Sequence, residues 1–284
     1  MYKYIIKSLL REALLDEDYA THNELKTLTD EVFMQICERL AEVAFYKKTS
    51  NVFEDMIKIH YVFRKVKKEY TNLRDFINNF ELEVVITGAG KAHGLFKPTS
   101  VESGTIGINF ERNVDRTEEM LNQIVIPRVE EPITEELVTE MTRALYFAIY
   151  DKDIASTLLH ELQHAYDAWR SKNKFVNNTK MGKFRNKQTS NDSDEDDKYN
   201  SYLKLQHEVN ARFSQALEAI TLYDYNFGKD PTKAFNKRTM RPFDTVLNDF
   251  KQSFNGWNVM SPSVQKRLVN RISKMYHEAS DKIK

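Results

Sequence analysis

Apolar residues recur at every third or fourth position along most of this chain, a spacing that predicts amphipathic helices. Ile5, Ile6, Leu9 and Leu10 form a first short stripe, and Phe33, Ile36, Leu40 and Ala44 form a second over about Asp30–Tyr46. A third helix is expected to carry Phe53, Met56, Ile57, Phe63 and Val66, and a short fourth to carry Leu73, Phe76, Ile77 and Phe80. Near residue 81 the period changes. Leu82-Glu-Val-Val-Ile-Thr87 is apolar and β-branched, Gly88-Ala-Gly90 signals a turn, and Gly94–Pro98 and Gly104–Asn109 follow as short strands. Helical spacing resumes after Pro132, where Thr134 is placed to cap a helix bearing Leu137, Met141, Leu145, Ala148 and Ile149. Asp151-Lys-Asp153 breaks or restarts that helix, and Ile154, Leu158, Leu162, Ala165 and Trp169 mark the apolar stripe of the next. A later helix carries Val209, Phe213, Ala216 and Ile220, followed by a turn at Asn226–Pro231. Two more helices close the chain, one from near Pro242 and one from Ser261-Pro262, with proline at its first position. The expected fold class is α+β and mostly helical. A helical region covers residues 1–80; a second region, 81–284, holds a small sheet drawn from residues 82–110, packed over the Ile154–Trp169 helix.

Length and charge bound the possibilities. A chain of 284 residues buries a sizeable core, and its 42 basic and 42 acidic residues cancel, so no global electrostatic argument favours nucleic acid. The basic run Arg64-Lys-Val-Lys-Lys68 is followed by Glu69 and Asp75 and reads as a solvated helix face. Cys37, the single cysteine, excludes an intramolecular disulfide and lies within an apolar helical run, which marks it as a core residue rather than a nucleophile. No apolar stretch approaches a membrane span, and Lys7 interrupts any signal-like apolar core, so a cytoplasmic location is expected. Residues 171–199 form a polar insertion ending in Asn191-Asp-Ser-Asp-Glu-Asp-Asp-Lys198. These acids lack the glycine and the distal glutamate of a calcium loop, so a solvated, mobile insertion is expected.

Chemistry concentrates in Ser156-Thr-Leu-Leu-His-Glu-Leu-Gln-His-Ala-Tyr-Asp167, which contains the pattern H-E-x-x-H at His160–His164. Residues four apart stack on one helix face, so both imidazoles reach a single metal ion. Glu161 lies about 100° round the axis from His160, close enough to polarise a metal-bound water. A third ligand is sought downstream, in Gln206-His-Glu-Val-Asn-Ala-Arg212. There Glu208 and His207 are the two candidates, and Arg212, one turn after Glu208, is spaced to orient a carboxylate.

These residues resemble the zincin metallopeptidases, specifically the gluzincin type, over roughly residues 82–220. The resemblance implies one Zn2+ per chain, with His160 and His164 as ligands, Glu161 as the base, and Glu208 on a second helix as the third ligand. Gln206-His207 stand where the thermolysin type carries an asparagine before its glutamate, and His207 as third ligand would resemble the SprT-like proteases instead. Family membership also implies a sheet edge that binds extended peptide, here expected over Gly104, Thr105, Ile106, Gly107, Ile108 and Asn109. Tyr199, Tyr202, His207 and Arg212 are the candidates to stabilise a tetrahedral oxyanion, and Asp167 the candidate to hold a ligand histidine. The implied activity is zinc-dependent hydrolysis of a peptide or protein substrate. Two other readings stand beside it: a non-catalytic helical interaction or virion structural protein with a vestigial metal site, and a SprT-like protease of DNA-bound proteins. The opening Ile6-Lys-Ser-Leu-Leu-Arg-Glu12 and the Asn- and Lys-rich composition resemble tailed-phage proteins, which would place the chain in a host cytoplasm or a virion.

Overall fold

The computed structural model describes residues 19–66, 69–89, 93–171, 206–220, 222–226 and 237–281. The expected helix at residues 1–11, the polar insertion beyond Ser171 and the turn after Asn226 lie outside them. The chain divides into two compact units, Glu24–Val176 and Met1–Asn23 with Asn177–Lys284. The fold is α+β and mostly helical, with one small mixed sheet of four strands and a separate pair. None of the described helices is long and apolar enough to cross a membrane.

The first unit is built on helix α1 (Tyr19–Lys47), longer than its apolar stripe implied. Leu25, Leu28, Val32, Phe33, Ile36, Cys37, Leu40, Ala41 and Ala44 are all fully buried, a repeat of three and four that lays one continuous seam along the helix. Phe33 packs edge-on against Tyr146 and Tyr150, with ring centroids 5.6 and 5.3 Å away. Those rings belong to the end of α4 (Glu135–Ile149), which Thr134 caps by accepting from the Leu137 N–H at 3.1 Å.

The sheet has the order β1-β2-β4-β3, from β1 (Ile57–Ile59), β2 (Glu81–Thr87), β3 (Gly94–Pro98) and β4 (Ser103–Asn109). β2 and β4 run parallel, while both outer strands run antiparallel to their neighbours. Alternation decides which face is covered: Ile57, Ile59, Leu82, Val84, Ile86, Ile106 and Ile108 are buried, whereas Lys58, Leu95 and Lys97 are exposed. Between β1 and β2 lies α2 (Arg74–Asn79), the expected short helix. α3 (Val114–Ile124) follows the sheet, unannounced by the pattern, and α5 (Lys152–Arg170) packs on β3 and β4.

Two expectations are corrected here. The helix anticipated over Phe53–Val66 is instead two short 3-10 turns, Val52–Glu54 and Val62–Lys65, flanking β1. Ile57, Lys58 and Ile59 alternate in register with β2 (Ile57 opposite Ile86, Ile59 opposite Val84), and a partner strand more than twenty residues away outweighs local spacing. The sheet thus extends beyond the 82–110 window. The all-helical reading after Thr134 is also incomplete, since β5 (Tyr223–Asn226) pairs antiparallel with β6 (Lys237–Met240).

In the second unit α6 (Gln206–Ala219), α7 (Phe243–Ser253) and α8 (Pro262–Asp281) share a core of Val209, Phe213, Val246, Phe250, Phe254, Leu268, Ile272 and Met275. Phe213 meets Phe250 at 5.2 Å between centroids, and the Arg271 guanidinium lies 3.8 Å above the Phe213 ring. Pro262 opens α8 as its spacing implied, with Ser261 before it.

Cys37 is fully buried, and that burial pushes its thiol well above the ordinary 9.0. Unfolded chains ionise such a thiol near pH 9 while the folded chain keeps it protonated, so the folded state holds the extra proton and stability falls as pH rises past that point. Unfolding free energies from urea titrations between pH 8 and 10 should therefore decline more steeply for the native chain than for Cys37→Ala, by up to about 1.4 kcal/mol per pH unit above pH 9. Equal slopes would show that the thiol is accessible to water.

Candidate metal centre

Helix α5 is held in one rotational setting. Asp151 caps it, accepting from the Asp153 N–H at 2.7 Å, and Leu158, Leu159, Leu162 and Ala165 are no more than 1% exposed. Tyr166 packs edge-on and Trp169 at a tilt against Phe76 of α2, with centroids 5.5 and 5.6 Å away. With these residues committed to the core, the helical period turns Thr157, His160, Glu161 and His164 to the neighbouring face.

His160 and His164 meet there edge to face, their ring planes at 89° and their Nε2 atoms 3.1 Å apart. Two imidazole nitrogens sharing a tetrahedral ion at 2.0–2.1 Å would lie about 3.3 Å from each other. The pair is thus within a few tenths of an ångström of a bidentate metal grip. Two imidazole nitrogens placed like those of His160 and His164 can grip a first-row metal ion. Glu208, the expected third ligand, belongs to the second unit, on α6. Glu208 is 2% exposed, and the Arg212 Nε lies 3.8 Å from its Oε2, one turn along α6. Val209 and Phe213 on that helix face the core as expected.

Glu161 is also buried, at 6% exposure, and lies under the first residue of β3. A Cβ built on Gly94 would stand 2.8 Å from Glu161 Oε1 and 2.5 Å from Thr157 Cγ2. Asp167 is buried and accepts from the Gln163 side-chain amide at 3.1 Å, a bond within its own helix. Tyr199 and Tyr202 lie outside the described residues, as does the side chain of His207.

The expected edge strand is corrected. Gly104–Asn109 falls within β4, which is hydrogen-bonded to β2 on one side and β3 on the other, so an incoming strand has no main-chain groups to pair with there. Among the described residues the outer strands are β1 and β3, and β3 is the one that crosses Thr157 and Glu161 of α5. His93 C=O accepts from Asn109 N–H, and Thr99 N–H donates to Ser103 C=O, both at 3.0 Å. Antiparallel pairing alternates inward and outward, so Gly94 and Phe96 turn their N–H and C=O groups away from β4. Pro98 ends that edge, offering no donor. Gly94 was legible only as a glycine ahead of a short strand; its approach to Glu161 required the tertiary fold.

No protein-family model, curated protein or solved structure matches the chain. The chemistry of the site is therefore read from its side chains.

Zinc titration of metal-free protein should show one ion bound per chain, and no binding in His160→Ala or His164→Ala. Glu208→Ala should weaken binding by more than the roughly 10- to 100-fold typical of a lost supporting partner, and His207→Ala by less. A larger loss in His207→Ala would assign the third ligand to the histidine.

Proposed function

We propose that this chain is a zinc-dependent peptidase. The observation that carries the reading is the meeting of the His160 and His164 Nε2 atoms at 3.1 Å, with the buried Glu161 directly after His160 on the same helix. A purely structural zinc site is usually closed by four ligands and rich in cysteine. Here the one cysteine, Cys37, is sealed in the hydrophobic core around α1.

His160, His164 and Glu208 would hold the ion, and the Arg212 guanidinium would keep the Glu208 carboxylate charged and aimed. When bound, zinc supplies the Lewis-acid charge that polarises a scissile carbonyl and acidifies a water. Glu161 removes the proton of the attacking water as its oxygen bonds to the carbonyl carbon. The same carboxyl returns that proton to the amine nitrogen as the C–N bond breaks. An extended segment of substrate can pair with the outward groups of Gly94 and Phe96. Folded helices and sheets have no main-chain groups to spare for such pairing, which favours unstructured peptide.

Glu161→Gln should bind zinc like the native chain and hydrolyse a quenched fluorescent peptide about 10²–10⁴ times more slowly. Native turnover in that variant would remove Glu161 from the reaction, and the absence of turnover in the native zinc-loaded protein against peptide libraries would remove the peptidase reading.

A further inference from the structure

Gly94 sits at the start of β3, where the strand crosses Thr157 and Glu161 of α5. Its glycine identity is not required by backbone torsion, because its φ lies outside the positive range and only Gly256 among the described glycines falls within it. Space is what requires it. A methyl group at Gly94 would come to 2.5 Å from Thr157 Cγ2, 2.8 Å from Glu161 Oε1 and 3.0 Å from Glu161 Cγ, well inside ordinary van der Waals separation. Gly107 provides the comparison inside the same sheet. It pairs opposite Leu95 on β4, and a methyl there would meet nothing closer than the Leu95 carbonyl oxygen at 3.8 Å.

We infer that Gly94 is a positioning residue for Glu161: the bare main chain of β3 is the wall against which that carboxylate is set, with Thr157 filling the turn of helix before it. This rests on Glu161 being the base of the proposed hydrolysis. The wall and the outward-facing main chain are the same residue. A substrate strand paired with the Gly94 N–H and C=O is therefore brought beside the carboxylate by the very group that fixes it. Any side chain at position 94 separates the two. It displaces Glu161 along the helix face, because the atoms nearest such a side chain are those of Thr157 and Glu161, and leaves His160 and His164 in their grip.

Gly94→Ala, Gly107→Ala and Glu161→Gln test this together. In crystals of metal-free Gly94→Ala the Glu161 carboxylate should be shifted by about 1 Å or more, and zinc affinity should match the native chain. Turnover of an unstructured casein substrate should fall about 10- to 100-fold, chiefly in kcat, the range expected when a group that orients a reacting residue is lost. Gly107→Ala should change none of these. Where Gly94→Ala folds poorly, Gly94→Ala/Thr157→Ser removes the nearest obstruction yet leaves the Glu161 contact, so the shift and the kcat loss should persist in it. An unmoved Glu161, or equal impairment in Gly94→Ala and Gly107→Ala, overturns the inference. Native turnover in Glu161→Gln overturns the base assignment instead, and the metal-free crystal structures still decide what Gly94 does.

Discussion

The rotational setting of α5 is the constraint on which the candidate site depends. Leu158, Leu159, Leu162 and Ala165 are buried in the core of the first unit, and each buried leucine contributes on the order of 1.5–3 kcal/mol. Turning the helix by one residue, about 100°, would expose that set and bury the imidazoles. The core therefore fixes where the histidines point, and their four-residue spacing does the rest. Phe76 reinforces the setting from α2, its ring contacting both Tyr166 and Trp169.

Burying Glu208 at 2% exposure costs several kcal/mol of lost hydration unless charge and hydrogen bonds offset it. Arg212 lies 3.8 Å away and attracts the carboxylate, at a separation longer than a close hydrogen-bonded ion pair. A buried carboxylate therefore needs positive charge close by. The placement of Arg212 one turn beyond Glu208 ties that requirement to the helix itself rather than to a mobile loop.

The sheet restricts what can approach. Its inner strands are paired on both sides, which leaves β1 and β3 as edges, and on β3 the outward main-chain groups before Pro98 are those of Gly94 and Phe96. Lys97 is exposed on the same strand, and charge and proline together are features that discourage edge-to-edge aggregation. The short open stretch that remains runs over Glu161. Gly94, where a side chain would collide with Thr157 and Glu161 of α5, belongs to that stretch.

Local pattern was enough for several features governed by residues within a few positions of each other, though it missed the helix at Val114–Ile124. The buried seam of α1, the Thr134 and Asp151 caps, the short helix at Arg74–Asn79 and the shared face of His160 and His164 all follow from helical period and capping chemistry. Glu208 and Arg212 could be nominated because they too are one turn apart. What sequence left open was decided by pairing across distance. Ile57–Ile59 became a strand because β2 offered it a register, and Gly104–Asn109 became an inner strand because the chain crossed to the far edge before returning. A strand's place in the sheet depends on partners remote in sequence, and periodicity within the strand carries no information about it. For the same reason the glycine against Glu161 was invisible as such: its role is a distance between two elements, and only the packed fold sets that distance.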